Sequence, residues 1–380
     1  MHVPDGFFNA AVSVSAAAVA AAGVAVCLRG ARRELDDRTA PMAGLVAAFV
    51  FAVQMLNFPV AAGTSGHLLG GALAAILVGP YTAVLCMAVV LLVQGFFFAD
   101  GGLTALGVNI TLMGLVTVLA GWGVFRLITR SLRGRTAITA ASFAAALVSV
   151  PASALAFTLL FWIGGTAPVE IGTVAAAMGG VHVLIGIGEG LITAVTVGTV
   201  LATRPDLVYG ARGLAAPLVL RGPGGESTVA PQAPAPAATP RPARPFLLAG
   251  AGVTLLLAGG VSHLASGDPD GLERVAEDEG FLGQATDHAL GSWALADYGE
   301  VGGVPLWVVG PVGVGITLLV AGAVAYAARR RKGGAPGGTR ETAEAAKTGG
   351  SVEAAETSKV GGAAKVGGTG GTGGTGGTAA

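Results

Sequence analysis

The uncharged stretch 66-GHLLGGALAAILVGPYTAVLCMAVVLLVQGFFFA-99 decides the fold class of this chain. Asp, Glu, Lys and Arg are absent from the whole interval between Arg38 and Asp100, and again between Asp100 and Arg126. A soluble domain carries about 25% charged residues, whereas this chain has 12% and is 53% hydrophobic. Lipid offers no partner to backbone polar groups, so apolar runs of this length cross it as helices. The chain is therefore predicted to be an all-α polytopic membrane protein.

Seven predicted spans form an N-terminal core, and two more follow. The third, residues 67–77, is too short to cross a bilayer as an ordinary helix, because a full crossing takes about 20 residues. Gly79-Pro80 ends it, and glycines surround its start. Broken segments of this kind are tolerated where the backbone faces protein or a cavity, and they often mark binding sites. The predicted spans are 8–28, 42–60, 67–77, 81–98, 103–128, 138–162, 171–203, 246–261 and 305–328.

Composition divides the chain into four parts. Residues 1–205 are the seven-span domain, and residues 206–245, with APQAPAPAATPRPARP at their end, are predicted to be an extended, semi-rigid linker. Residues 246–332 form a two-span unit whose loop, 263–304, holds nine acids against one arginine. Residues 333–380 are rich in Gly and Thr and are predicted to be disordered.

Arginine clusters predict the orientation in the cell membrane. They follow the first, fifth and seventh predicted spans, and basic residues favour the cytoplasmic side. The N-terminus is therefore predicted to be external and the C-terminal tail cytoplasmic, with the acidic loop outside. The arginines concerned are Arg29, Arg32, Arg33 and Arg38, then Arg126, Arg130, Arg133 and Arg135, then Arg204 and Arg212.

The chain start and a histidine of the broken third span could form a metal site. The start lacks a basic region and carries Asp5, unlike a cleavable signal, and the bulky His2 should protect Met1 from removal. If His67 lies close, the Met1 amine, the His2 amide and the two imidazoles supply four nitrogens. Planar nitrogen ligation suits Ni(II) or Cu(II) rather than Zn(II), and binding should strengthen as pH rises and the amine loses its proton. A frayed terminus and a loop histidine bonded to backbone are equally consistent with the spacing.

Other polar residues lie inside apolar segments. His182 and Glu189 are seven positions apart and share one helix face. Ionisable groups within a membrane are functional candidates, either as metal ligands or as a buried pair that fixes packing or helps gating. Asn57, Gln94 and Asn109 could hydrogen-bond between helices or support a ligand from behind. The sequence leaves these options open.

Several function classes have little support. The chain contains no H-E-x-x-H, G-x-S-x-G or G-x-x-x-x-G-K-[ST] motif, so it is not expected to be an enzyme, and any driving ATPase is expected to be another chain. The net charge is zero, which gives no reason to expect a nucleic-acid partner. Cys27 and Cys86 lie in apolar runs and imply no disulfide framework.

The chain carries several distinctive motifs in order: MHVPDG at 1–6, NFPV and GTSGHLLGGALAAILVGPY within 57–81, QGFFFADGGLTALGVNITLMG at 94–114, HVLIGIGEGLIT at 182–193, PDGLERVAED at 269–278 and ADYG at 296–299. The first of these, up to HVLIGIGEGLIT, resemble the CbiM/NikM family, the metal-specificity membrane subunits of energy-coupling factor (ECF) transporters for cobalt and nickel. The resemblance covers residues 1–205. The second unit resembles the small two-span partner subunit of these transporters, here fused through the linker.

The resemblance implies a divalent-metal site built from the Met1 amine, the His2 backbone nitrogen and imidazole, and His67. Co²⁺ or Ni²⁺ would be the transported substrate, with no resident cofactor. It also implies a separate transmembrane coupling (T) subunit and cytoplasmic ATP-binding cassette ATPases as partners. Leu112 stands where family members often carry a second Asn, so a hydrogen-bond network at that position is not implied.

Two alternatives to transport remain open at this point. A membrane-bound enzyme or assembly factor of cobalamin metabolism would work without coupling subunits. A structural scaffold would use its histidines only to satisfy backbone groups.

Overall fold

Helices build almost all of this computed structural model, which describes residues 1–36, 39–61, 63–212, 219–221, 227–229 and 242–329. The helices are α1 Ala10–Ala31, α2 Thr39–Gln54, α3 Gly71–Val78, α4 Pro80–Val93, α5 Leu106–Asn109, α6 Thr117–Ser131, α7 Arg135–Gly164, α8 Ile171–Thr203, α9 Arg244–Gly259, α10 Gly271–Asp278 and α11 Leu306–Ala328. π-helical segments Gln94–Phe98 and Ile110–Val116 extend α4 and join α5 to α6. Two antiparallel hairpins pair β1 Phe58–Ala61 with β2 Thr64–Gly66, and β3 Val219–Arg221 with β4 Ser227–Val229.

Short 3₁₀ turns complete the described secondary structure. Two follow α8, and three lie in the segment between α9 and α11. They are Pro205–Leu207, Tyr209–Ala211, Val261–Leu264, Leu282–Gln284 and Ala296–Gly299.

Within the described residues, six helical segments are long and apolar enough to cross a membrane. They confirm a mainly helical, multi-pass protein. The predicted count of seven plus two spans is not confirmed, because α2 and α9 have 16 residues each and α3 has eight. The six are Ala10–Ala31, Pro80–Phe98, Leu106–Ser131, Arg135–Gly164, Ile171–Thr203 and Leu306–Ala328.

The segment between α2 and α3 differs from the predicted spans 42–60 and 67–77. Helix α2 ends at Gln54, and the chain then turns back through the β1–β2 hairpin, in which Pro59 pairs with Ser65. Proline has no N–H to continue a helix, and Gly70 adopts a left-handed φ of 88° directly before α3. His67 therefore lies in an extended segment that precedes α3, not within a helix.

Glu189 of α8 holds the start of the buried helix α3. Its carboxylate accepts hydrogen bonds from the backbone N–H of Leu69 at 2.7 Å and of Gly70 at 3.1 Å. The Gln54 side chain donates to the Leu69 carbonyl at 2.9 Å. Helix starts leave unpaired N–H groups that attract negative charge. The long helix α8 thus fixes the segment that carries His67.

The last two apolar helices pack against the core. Helices α9 and α11 contact each other and α2, and the segment between them runs over the chain start and the β1–β2 hairpin. Ser65 donates its backbone N–H to the Pro269 carbonyl at 2.9 Å. Most of the predicted linker 206–245 and all of the predicted tail 333–380 lie outside the described residues.

Replacement of Glu189 should loosen the start of α3. Glu189→Ala leaves two buried N–H groups without a partner, at a cost of about 1–3 kcal/mol each. We expect a lower melting temperature in detergent, and a smaller loss for Glu189→Gln, whose amide oxygen still accepts one of the two bonds. Equal melting temperatures for Glu189→Ala and the unmodified protein would contradict this role.

Candidate metal centre

Asn109 fixes the main chain of the N-terminal segment. The Val3 N–H donates to the Asn109 side-chain oxygen at 2.8 Å, and the Asn109 amide donates back to the Val3 carbonyl at 3.1 Å. Gly102 adds a backbone N–H to the same carbonyl at 2.8 Å. The N–H and the carbonyl of Val3 are thus both hydrogen-bonded, as they would be beside a neighbouring β-strand. The predicted site residue Asn109 therefore positions the chain on either side of Val3.

Asp5 ties the same segment to the turn that leads into α5. Its carboxylate accepts from the backbone N–H groups of Leu103 at 3.1 Å and Thr104 at 2.7 Å, and from the Thr104 hydroxyl at 2.5 Å. The Asp5 carbonyl accepts the Thr286 N–H at 2.9 Å, which joins the segment to the second unit. Val3 and Asp5 are thus held by both backbone and side-chain partners.

The Met1 amine meets two side chains in a buried position. It is hydrogen-bonded to Nε2 of His67 and donates to Oδ2 of Asp270 at 2.6 Å. Nδ1 of His67 lies 3.0 Å from the Leu68 carbonyl, which can only accept, so Nδ1 carries a proton. When the ring is neutral, Nε2 keeps its lone pair and directs it at the amine. A histidine fixed in this way is typical of metal ligands.

The His2 imidazole lies beside that of His67, with ring centroids 5.0 Å apart and planes inclined by 21°. Its Nε2 is 3.1 Å from the Gln94 side-chain oxygen, and its Nδ1 is 3.3 Å from Oδ1 of Asp100. Burial lowers the pKa of His2 to about 4, although Asp100 opposes the shift. The ring is therefore neutral near pH 7 and has one proton for two acceptors. One of its two nitrogens therefore carries no proton, and its lone pair is available to a cation.

Tyr298 supports the partners of His2 from the second unit. Its hydroxyl donates to Oδ2 of Asp100 at 2.6 Å and accepts from the Gln94 amide at 3.2 Å. Burial, together with Asp100, raises the pKa of Tyr298 well above its usual value, so the hydroxyl stays a donor. Asp297 and Tyr298 both have left-handed φ values, 50° and 49°. Such strain in non-glycine residues is held by surrounding contacts, here the stacking of Tyr298 on Phe98 at 5.2 Å.

Asp270, at the start of α10, brings a carboxylate from the second unit to the Met1 amine. Its Oδ1 caps α10 by accepting from the N–H groups of Leu272 at 2.7 Å and Glu273 at 3.0 Å, and the Asp270 N–H donates to the Glu273 carboxylate at 3.0 Å. This leaves Oδ2 for the amine. Burial disfavours the charge of Asp270, but the Met1 ammonium and His67 outweigh burial and hold its pKa well below the usual range.

Sequence reasoning missed Asp270 because it counted this residue among the acids of a solvated loop. The D-x-x-E pattern at 270–273 predicts a capped helix. Nothing local shows that this cap faces a residue 269 positions earlier in the chain.

A cavity of about 430 Å³ opens onto the cluster. Its wall includes both imidazoles and the Asp270 side chain. Three further acidic residues line it, namely Asp100, Glu273 and Asp297. An acid-lined cleft raises the local concentration of cations.

The other predicted site residues, Asn57, His182 and Glu189, have different hydrogen-bond partners. Asn57 lines the cavity, and its carbonyl accepts the Ser266 N–H at 2.7 Å. His182 and Glu189 bind different partners: Nδ1 of His182 bonds the Met178 carbonyl at 2.8 Å, whereas Glu189 holds α3. Nε2 of His182 is buried and has no hydrogen-bond partner in the part of the chain that the structure describes.

Side chains alone do not complete a metal centre. Across the residues that the structure describes, no group of three or more His, Cys, Asp or Glu is arranged to hold a metal ion. The candidate centre includes the main-chain amine of Met1 beside His67.

These features define a multi-pass membrane protein with buried nitrogens beside an acidic cavity. Residues 2–207 match the family model of the cobalt uptake substrate-specific transmembrane region, CbiM, and residues 244–330 match the PDGLE domain. The chain belongs to the CbiM family and carries a fused PDGLE domain.

Similar proteins are named as metal transport proteins. A putative metal transport protein of Haloquadratum walsbyi is 42% identical over 209 residues, which cover 55% of this chain and 94% of the relative. A putative fused nickel transport protein of Archaeoglobus fulgidus is 39% identical over 55% of this chain and 68% of the relative. A solved structure of a truncated transition metal transporter matches with a TM-score of 0.48 and 27% identity, over 53% of this chain and 99% of that one.

Loss of the Asn109 amide should free the Met1 amine. Asn109→Leu removes two hydrogen bonds to Val3, each worth about 0.5–1.5 kcal/mol. We expect the α-amine to react with an acylating reagent on the order of tenfold faster, as measured by mass spectrometry of the N-terminal peptide. Thr111→Val, which removes a bond from the same segment to the Ala16 carbonyl, is the matched control. An unchanged rate in Asn109→Leu would show that other contacts hold the terminus.

Proposed function

We propose that this chain is the substrate-specificity membrane component of an ECF-type importer for Co²⁺ or Ni²⁺. The observation that carries the proposal is the meeting of the Met1 amine with Nε2 of His67, beside the neutral ring of His2. Amine and imidazole nitrogens are ligands that suit first-row divalent ions. Burial of such groups is costly unless they are paired, which favours a functional reason for their position.

The proposed ligands are the Met1 amine, the His2 amide nitrogen, the His2 imidazole and Nε2 of His67. The first two residues would close a five-membered and a six-membered chelate ring, which favours a planar arrangement and so tilts the choice toward Ni(II). The family model names cobalt, and the Archaeoglobus relative is named for nickel. The proposal therefore covers both ions, supplying cobalt for cobalamin synthesis or nickel for metalloenzymes.

Other predicted residues would act around these ligands. Asn109 would hold the main chain whose amide binds the ion, and Gln94 would orient the His2 ring. Asn57 would line the entrance. Glu189 would keep the His67 segment in place through α3, and His182 would act in packing or gating, since its Nδ1 bonds within its own helix.

The proposed assembly includes a coupling T subunit and ATP-binding cassette ATPases, because this chain has no P-loop motif. The arginine clusters favour an external N-terminus and a cytoplasmic C-terminal tail. We propose a seven-span core in which α3 is the buried half of a broken third crossing, consistent with its glycine-flanked start. A membrane enzyme or assembly factor of cobalamin metabolism is not favoured, since the relatives are named as transport proteins.

The PDGLE unit is proposed to assist metal loading. Its loop reaches the chain start through Thr286 and Asp270, and reaches the π-helical end of α4 through Trp293, which donates to the Phe97 carbonyl at 2.9 Å. The cavity beside the cluster is walled by both units. An ion that enters this cavity would meet acidic residues of the loop before the buried nitrogens.

Two leucines inserted between Met1 and His2 should abolish metal binding, because a bulky second residue keeps Met1 in the chain while the amine no longer chelates together with His2. The insertion moves the amine out of chelating distance of the His2 amide while every side chain is kept. We expect titration of the purified protein with Co²⁺ and Ni²⁺ to lose affinity by at least about 100-fold, as expected for a lost chelate ligand. His67→Ala should have a similar effect.

His263→Ala is the control for general histidine binding, because His263 is exposed and lies outside the cluster. It should bind as the unmodified protein does. If the insertion leaves both titrations unchanged, the chain start is not the metal site.

A further inference from the structure

Oδ2 of Asp270 lies where the two buried nitrogens converge. It is 2.6 Å from the Met1 amine and 3.6 Å from Nε2 of His67, and these two nitrogens are themselves in contact. Ligand atoms bound to one ion at about 2 Å lie roughly 3 Å from one another. The two separations of Oδ2 from the nitrogens therefore lie on either side of the spacing expected in a metal's ligand shell.

We propose that Asp270 Oδ2 is a direct ligand of the divalent ion, together with the Met1 amine and Nε2 of His67. The inference rests on the proposed function and assigns the PDGLE unit a chemical part in it. The ion would be a first-row divalent cation, since the nitrogen ligands of the proposed function and one carboxylate oxygen form a borderline donor set.

The Asp270 side chain is built to present this oxygen. Its Oδ1 accepts from the N–H groups of Leu272 and Glu273, and the Asp270 N–H donates to the Glu273 carboxylate to complete the cap. Helix α10 rests closely on α8, where a Cβ at Gly271 would come within 2.6 Å of Ile185. The carboxylate is thus fixed before an ion arrives, and the Met1 amine is the one hydrogen-bond donor to Oδ2 among the described residues.

Binding exchanges a proton for the ion. The Met1 nitrogen would bind the cation through its lone pair, beside Asp270 and His67, and the proton that it loses would pass to solvent. The Asp270 charge that now pairs with the ammonium would pair with the metal instead. The buried Asp270 carboxylate would therefore be paired with a positive charge both with and without the ion, as a buried carboxylate requires.

The test compares two substitutions that keep the α10 cap. Asn and Ser are both good N-cap residues, so Asp270→Asn and Asp270→Ser should preserve the loop, checked by the melting temperature. Asp268→Asn removes the same charge from an exposed neighbour whose carboxylate contacts only Ser266 among the described residues, and is the matched control. Each protein is titrated with Co²⁺, and the visible absorption of the bound Co²⁺ is recorded as a report on its ligands.

We expect both Asp270 variants to lose on the order of 100-fold in Co²⁺ affinity, with changed Co²⁺ absorption bands. Asp268→Asn should change the affinity by less than about threefold, because exposed charges are screened by salt. Unchanged or tighter binding with an unchanged spectrum in Asp270→Asn would overturn the proposal, since the carboxylate would then be only the counter-ion of the empty site.

The two-leucine insertion after Met1, measured in parallel, separates this inference from the proposed function. Loss of binding in the insertion but not in the Asp270 variants refutes the carboxylate ligand alone. Unchanged binding in all of them refutes the metal site itself.

Discussion

The burial of the Met1 amine is the constraint on which the rest of the site depends. A buried charged or strongly polar group is stable only if it is paired and hydrogen-bonded. Here the partners come from two distant parts of the chain, Asp270 in the PDGLE unit and His67 before α3. The bonds of Asn109 to Val3, the cap of α10 and the hold of Glu189 on α3 all place these three groups together.

Membrane helices carry few polar residues, and in this chain those residues mostly serve the backbone. Glu189 accepts two main-chain N–H groups, and Asn109 pairs with both polar groups of Val3. Each would be costly to bury without these bonds. Their positions explain how an extended, non-helical segment can lie inside a helical bundle: side chains from long helices replace the missing backbone partners.

Hydrophobic patterning was enough to predict a multi-pass helical protein, because lipid imposes that structure directly. Pro59 and Gly70 also favour a non-helical segment around His67, because proline and glycine interrupt helices. An average of hydropathy over many residues does not detect this interruption. Asp270 and Tyr298 could not be predicted as parts of the site. Their contacts with Met1 and Asp100 join residues about 200 or more positions apart, and only the packed fold sets such pairs.

The most direct test of the central claim is anomalous diffraction from crystals of the Co²⁺-loaded protein, recorded at the cobalt absorption edge. The account predicts one strong peak within about 2 Å of the Met1 nitrogen and Nε2 of His67, a typical metal–nitrogen distance. A peak elsewhere, for example beside Nε2 of His182, or a loaded crystal with the Met1 amine still bound to Asp270 and no peak beside it, would contradict the account.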